Sequence, residues 1–328
     1  MTTATLTLRP YAGEQDLLLI VELLNQYNAI YDPDVVETDS EWRRDMHAPH
    51  YDPAHDLRLW DDASGRLVAV ASLSVPLEPG TEGSDGFLFF GIHHDIGDAA
   101  LIGDVLHWAE DRMREVAAAR GMTSFVRVSA RDTLTERRAL LEQHGYREER
   151  AFYTMARVLN DPQRPLLAPE VPAGFTLQPF NKTDLAAWVE MFNQSFIDHY
   201  NHHTFTVERL QHYLDTNEHY RPELDLLAIA DDGTYAGFCY AEIDDERNRY
   251  TGRAEAWIGV LGTRRGYRQI GLGRALLRES LQRLRAAGIE RAMLGVDSLN
   301  PSGALPFYER VGFERTRTVI AYNKQVQA

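Results

Sequence analysis

Apolar positions in the carboxy-terminal half change period several times. Trp188, Met191, Phe192 and Phe196 recur at helical spacing, which predicts a helix over about 182–197. A second helix is expected over about 206–216. Leu226 to Ala230 reads as a strand, and Asp232-Gly233 as a hairpin turn into a strand from Ala236 to Ile243. Further strands are expected at about 254–262 and from Arg291 to Val296. Between them Ala275, Leu276, Leu277, Leu281 and Leu284 make one face of a helix over about 272–287, with Gly288 as its C-cap. A short strand at 175–179, a short helix from Gly303 to Val311 and a last strand at about 316–323 complete the half. The order is β-α-α-β-β-β-α-β-α-β, an α/β domain with a mixed sheet.

The amino-terminal half repeats the outline. Leu6-Thr7-Leu8-Arg9-Pro10-Tyr11 leads to Asp16 as Phe175-Thr176-Leu177-Gln178-Pro179-Phe180 leads to Asp184. Asp61-Asp62 with Gly65 matches Asp231-Asp232-Gly233, and Gly145-Tyr146 matches Gly312-Phe313. The landmarks keep their order at a nearly constant offset, so the chain reads as two copies of one fold. Pro162, Pro165, Pro169 and Pro172 crowd the junction and resist helix and interior strand. The expected domains are 1–160 and 174–328, joined by a proline-rich linker over 161–173. A chain of 328 residues is long enough for two cores.

Charge sharpens the contrast between the copies. The chain carries −15, which disfavours nucleic acid and an anionic membrane as partners. Residues 1–160 hold most of that excess. From Arg264 to Arg291, by contrast, eight arginines face two acids, Glu279 and Glu290. A single cysteine, Cys239, excludes an intramolecular disulfide and reads as a packed strand residue. No apolar run approaches the length needed to cross a bilayer, so a cytoplasmic protein is expected. The oligomeric state is not readable from the sequence.

The basic segment holds the chemistry. Arg268-Gln269-Ile270-Gly271-Leu272-Gly273-Arg274 stands where the chain enters a helix. A helix amino terminus offers unpaired N–H groups and the positive end of its dipole. Glycines remove the Cβ atoms that hold a phosphate off the backbone, and arginines add charge-assisted hydrogen bonds. Together they make a diphosphate cradle. The segment is no P-loop, because it lacks Gly-x4-Gly-Lys. It is a poor dinucleotide fingerprint, because Leu276 stands where a third small residue belongs. Aligned on Leu106 and Leu276, the first copy has Asp98, Leu101 and Asp104 in place of Arg268, Gly271 and Arg274. Aligned on the Gly-aromatic turn, Leu141 replaces Tyr308.

Arg268-x-x-Gly271-x-Gly273 resembles the Arg/Gln-x-x-Gly-x-Gly/Ala signature of the GNAT superfamily of acyl-CoA-dependent N-acetyltransferases. Asn300-Pro301-Ser302, Ala304, Tyr308 and Gly312-Phe313 resemble that superfamily's late motif. The tandem layout is similar to the branch that includes mycothiol synthases. The resemblance implies two tandem GNAT acyltransferase domains, the first degenerate and without a cofactor site, the second binding acetyl-CoA. It implies that two parallel strands splay into a slot and that Leu261, Gly262 and Thr263 pair with the pantetheine arm. The amides of Arg268, Gln269, Ile270, Gly271, Leu272, Gly273 and Arg274 then hold the pyrophosphate, Asn300 bonds the pantetheine, and Tyr308 faces the thioester sulfur as general acid. Glu255 is the expected base, with Glu242 and Asp297 as rivals. Asp198 and His199 are expected at the acceptor. His199 and His203 stand four apart without a third ligand, so no metal is expected. The implied function is acetyl transfer to a primary amine of a small acceptor. A non-catalytic acyl-CoA sensor is the alternative, keeping the cradle without needing Tyr308.

Overall fold

The computed structural model describes residues 6–96, 98–199, 202–300 and 303–327. The Asp98 side chain, and Pro301 and Ser302 of the late motif, lie outside what is described. The elements are β1 (Thr7–Arg9), α1 (Glu14–Tyr31), α2 (Asp39–Met46), α3 (Pro53–Asp56), β2 (Leu57–Asp61), β3 (Leu67–Ser74), β4 (Ser84–Ile92), α4 (Asp98–Arg120), β5 (Ser124–Arg131), α5 (Thr135–Gln143) and β6 (Arg147–Val158). The repeat then runs β7 (Phe175–Pro179), α6 (Leu185–Phe196), α7 (Val207–Thr216), β8 (Asp225–Ala230), β9 (Tyr235–Glu242), α8 (Asp245–Thr251), β10 (Glu255–Thr263), α9 (Leu272–Ala286), β11 (Arg291–Asp297), α10 (Ala304–Arg310) and β12 (Glu314–Val326). Among the described residues no helix is long and apolar enough to cross a membrane.

The chain forms two compact units, residues 1–150 with 319–328, and residues 151–318. This corrects the expected division at 161–173. Residues 152–158 of β6 pair antiparallel with Arg291–Asp297, inside the second unit. Residues 319–326 of β12 pair antiparallel with Ser124–Arg131, inside the first. Each copy therefore gives its last strand to the other copy's sheet. The physical reason is that β5 and β11 offer equivalent open edges, and backbone hydrogen bonds form on either.

The proline-rich stretch is not a free connection either. Leu166 packs on the second core. Arg278 Nη1 donates to the Ala168 carbonyl at 3.2 Å, and Gln282 Nε2 to that of Leu167 at 3.0 Å. Prolines deny the segment a ladder or helix of its own, so α9 side chains satisfy its carbonyls.

The second unit's sheet runs β7-β8-β9-β10-β11-β6, with only β10 and β11 parallel. Side chains alternate across it. Cys239 and Ala241 join Leu276, Leu277, Leu281 and Leu284 of α9 in one core. Phe238 and Leu227 join Trp188, Met191 and Leu210 of α6 and α7 in the other. The expected helix from 182 begins later, because Lys182 holds a left-handed φ of 61° and Asp184 caps the Ala187 N–H at 2.8 Å. Helix α8 was not expected. It buries no residue, so it carries no apolar period; Asp244 caps it through the Arg247 N–H.

Candidate functional site

Strands β10 and β11 start as neighbours and then part. Their parallel pairing covers only Glu255–Ile258 against Arg291–Leu294. A bulge between Ile258 and Val260 shifts β10 against β9, and a bulge adds local twist that turns a strand away from its neighbour. Beyond it, β10 pairs only with β9 and β11 only with β6. The facing edges, from Gly259 and from Gly295 onward, border a cavity of about 1740 Å³ in the second unit. Backbone at these edges offers hydrogen bonds to a ligand.

Two glycines hold this region close. A Cβ on Gly262 meets the Phe238 ring at 2.5 Å, and one on Gly273 meets Thr263 Oγ1 at 3.3 Å. The turn into α9 contains two left-handed residues, Gln269 (φ 65°) and Gly271 (φ 94°). Gln269 pays for this conformation in strain, as residues at functional sites often do. Helix α9 has no side-chain cap and no acid in its first turn. Its leading N–H groups and dipole therefore face the cavity without an internal counter-charge.

Leu261 to Thr263, Arg268 to Arg274, Asn300, Tyr308, Asp198 and His199 all line this cavity. The Arg268 side chain bonds within the protein. Its Nε donates to the Thr263 carbonyl at 3.2 Å, Nη2 to that of Ser195 at 2.9 Å, and Nη1 to Asp198 Oδ2 at 2.8 Å. It ties the end of α6 to the cradle. Asp198 also pairs with Arg265, and these two guanidiniums hold its carboxyl below the usual range. His199 sets its ring edge-on to Phe196, with centroids 5.6 Å apart.

Tyr308 lies on α10, buried against Phe313 and Phe307. Burial, and then nearby Cys239, push its phenol well above the ordinary value. Cys239 is fully enclosed and its thiol is pushed up to about 12, first by burial, which fits a packed strand residue.

Glu255, the expected base, stands apart from the cavity. It sits where β10 and β11 are still paired, with Oε1 2.8 Å from Arg291 Nη1 and Oε2 4.0 Å from Arg253, and it is not part of the cavity wall. Its carboxylate neutralises the cross-strand arginine in register with it. Glu242 also lies outside the wall, accepting from Tyr213, Tyr240 and Asn217 at 2.8, 2.9 and 2.6 Å. Asp297, the other rival, does line the cavity, and its Oδ1 accepts the Leu299 N–H at 2.9 Å.

Sequence reading missed Arg157, Arg164 and Arg278 in the wall. Arg157 reaches it only because β6 joins β11, a pairing with no local signal. Among the described residues, His93, His94 and Asp95 of the first unit form a group close enough to share an ion, with Arg66 4.0 Å from Asp95. The sequence reading had passed over this group.

Residues 185–313 match the Acetyltransferase (GNAT) family. The chain is 30% identical over 200 residues to a mycothiol acetyltransferase of Thermobispora bispora, covering 61% of this chain and 65% of that protein. It is 29% identical over 185 residues to one of Propionibacterium freudenreichii, covering 56% and 57%. The matches thus span about 60% of those relatives' length. Among solved structures, a GCN5-related N-acetyltransferase from Sphaerobacter thermophilus matches with TM-score 0.76 and 25% identity, covering 98% of this chain and 96% of that one. A tandem GNAT protein from the clavulanic acid biosynthesis pathway matches with TM-score 0.72 and 16% identity, covering 98% of both chains.

Proposed function

We propose, from the match of residues 185–313 to the Acetyltransferase (GNAT) family, that the protein transfers an acetyl group from acetyl-CoA to a primary amine of a small acceptor. One observation carries the reading: a splayed parallel strand pair leads into an uncapped, glycine-entered helix start, with Tyr308 in the same cavity.

The residues fit the cofactor. The entry to α9 is free of Cβ atoms at its N-cap Gly271 and at Gly273 in its first turn, which contains no acid. Residues Gln269 to Arg274 hold the diphosphate by their amides, Leu261 to Thr263 offer backbone to the pantetheine arm, and Asn300 adds a side-chain contact. Arg268 acts through Asp198 and the Ser195 carbonyl, shaping the cradle. Bound acetyl-CoA supplies an activated acyl carbon and a sulfur leaving group.

Overall an N–C bond forms, a C–S bond breaks and one proton passes from nitrogen to sulfur. Backbone N–H groups on the open edge of β10 stabilise negative charge developing on the acyl oxygen. Tyr308 stays protonated at neutral pH and donates a hydrogen bond toward the departing sulfur. Its raised pKa makes complete donation costly unless the proton is replaced as it leaves. The same burial raises the affinity of the sulfur for a proton, which narrows that gap. Asp297 takes the base role expected of Glu255, because it lines the slot and Glu255 does not. His199 lies on the acceptor side; Asp198 is already occupied by two arginines.

Relatives named mycothiol acetyltransferase make a mycothiol-related amine the first acceptor to test. The assay follows thiol release from acetyl-CoA across an amine panel that starts there and extends to amino sugars, polyamines and amino acids. Acetyl-CoA binding with no amine turned over, and no effect of Tyr308→Phe on binding, is the result that favours a sensor.

A further inference from the structure

Six arginines line the cavity, Arg157, Arg164, Arg268, Arg274, Arg278 and Arg310, against the acids Asp198, Asp297 and Glu309. This is a local cationic excess in a chain of net charge −15. Arg268 is committed to Asp198 and two carbonyls. Arg274 and Arg278 stand one turn apart on α9. Arg157 is only 7% exposed; Nη1 donates to the Val311 carbonyl and Nη2 to those of Arg164 and Pro165, while its Nε has no partner among the described residues. Burial, and the charges of Arg164 and Arg278, disfavour its protonated form. Arg164 is itself paired with Asp161 and Glu314, so the cations that face a ligand here are Arg274 and Arg278.

One carboxylate spans Arg274 and Arg278 from outside. Glu170 lies 3.6 Å from Arg274 Nη2 and 3.2 Å from Arg278 Nη1, with its own side chain 70% exposed. It belongs to the proline-rich strap whose Leu167 and Ala168 carbonyls are pinned to α9. An ion pair that exposed contributes little and exchanges readily. The strap therefore presents a replaceable carboxylate to two arginines just beyond the diphosphate cradle. At 1.5 Å per residue, Arg278 stands about 9 Å along α9 from Leu272. A pentose together with the reach of an arginine side chain bridges a gap of that order.

We propose that Arg274 and Arg278 form a second anion subsite for the monoester phosphate on the ribose of the nucleotide end. Glu170 is its internal place-holder, displaced when that phosphate arrives. The inference rests on the coenzyme A reading above. It adds selection for a ligand with phosphate at both positions of the ribose, and it gives the strap a role in that selection.

Calorimetry on the full chain with coenzyme A and with dephospho-coenzyme A tests it without any variant. Coenzyme A is expected to bind about tenfold or more tightly, the gain of one charge-assisted bidentate contact. Arg278→Gln should remove that preference. Glu170→Gln should tighten coenzyme A by about two- to fivefold, the scale of an exposed ion pair, and should tighten the dephospho form less. Equal binding of the two ligands by the parent chain overturns the subsite and leaves the cofactor reading standing. Binding of neither ligand overturns the cofactor reading itself. A Glu170→Gln chain that binds coenzyme A as the parent does overturns the place-holder.

Discussion

In the second unit eight residues, 264–271, carry the chain from β10 to α9. In the first, five residues, 93–97, carry it from β4 to α4. The longer turn holds Gln269 and Gly271 in the left-handed region; among the described residues of the shorter turn none has a positive φ. Leu101, at the place of Gly271, is buried in the first unit's core. Gly103 matches Gly273, yet a Cβ there meets the His144 ring at 3.2 Å, so side-chain packing explains that glycine. Both units keep the splay, since β4 and β5 pair only over Ser84–Leu88 against Ser124–Val128. In the first unit, however, Arg137 of α5 lays its guanidinium 4.2 Å from the Phe90 ring centroid. Ala304, its counterpart by the repeat, instead borders an open cavity. One backbone plan therefore borders a cavity in the second unit and sets Arg137 against Phe90 at the matching place in the first.

The largest effect expected from this contrast is at the cradle. The parent chain should bind one acetyl-CoA, and Gly271→Asp should lose calorimetrically detectable binding, because it puts a side chain and a negative charge at a left-handed position facing the diphosphate. A stoichiometry of two would erase the distinction between the units.

Tyr308→Phe keeps the packed ring and removes the donor. We expect kcat to fall about 100-fold while KM for acetyl-CoA stays within about twofold, the signature of an interaction made at the sulfur in the transition state. An unchanged kcat in steady-state assays would reduce Tyr308 to packing, as at Leu141.

Buried carboxylates differ between the units as well. Asp85 in the first is matched by Arg127 at 2.5 Å. Asp225 in the second is 3% exposed and has the Tyr220 hydroxyl at 2.9 Å. Burial pushes its carboxyl up to about 7. From about pH 4 to about pH 7 the folded chain then holds a proton that the unfolded chain has released. Stability from this group is therefore greatest in acid, falls as pH rises through that window and levels off above it. The expected loss is about 2 kcal/mol, below the full shift because burial sites relax on ionisation. Denaturant unfolding at pH 5 and pH 8 should show this loss, and Asp225→Asn should flatten it.

The smallest expected effect is at Arg137 of the first unit. Arg137→Ala should cost about 1 kcal/mol, the scale of a cation–π contact, and leave ligand stoichiometry at one. Acquisition of a second binding site by this variant would show that one side chain alone closes the first unit.

Much of the fold was legible because apolar period and turn residues act locally. The expected strands and helices of the second copy all occur, within a few residues of their expected ends. Helix α8 was missed because it buries nothing. Gly271, Gly273, Asn300 and Tyr308, singled out by spacing and family resemblance, all line the cavity. Glu255 lies where β10 and β11 are still paired and outside the cavity wall, a placement that its position on the strand does not reveal in the sequence. Arg268 lines the cavity as expected of its place, and the partners of its side chain, Asp198 and the end of α6, have no signal in the sequence.

By itself, then, the sequence determined that two copies of one α/β plan follow each other, that the second enters a helix through glycine among arginines, and that the first does not. These are properties of neighbouring residues. Only the tertiary structure decided that β6 joins β11 and β12 joins β5, that the proline-rich stretch straps α9, and that Arg157 reaches the cavity. The reason lies in the backbone. Two repeats present nearly identical strand edges, whose hydrogen-bonding groups are the same for any side chain. Which strand completes which sheet is therefore set by the packing of the whole chain.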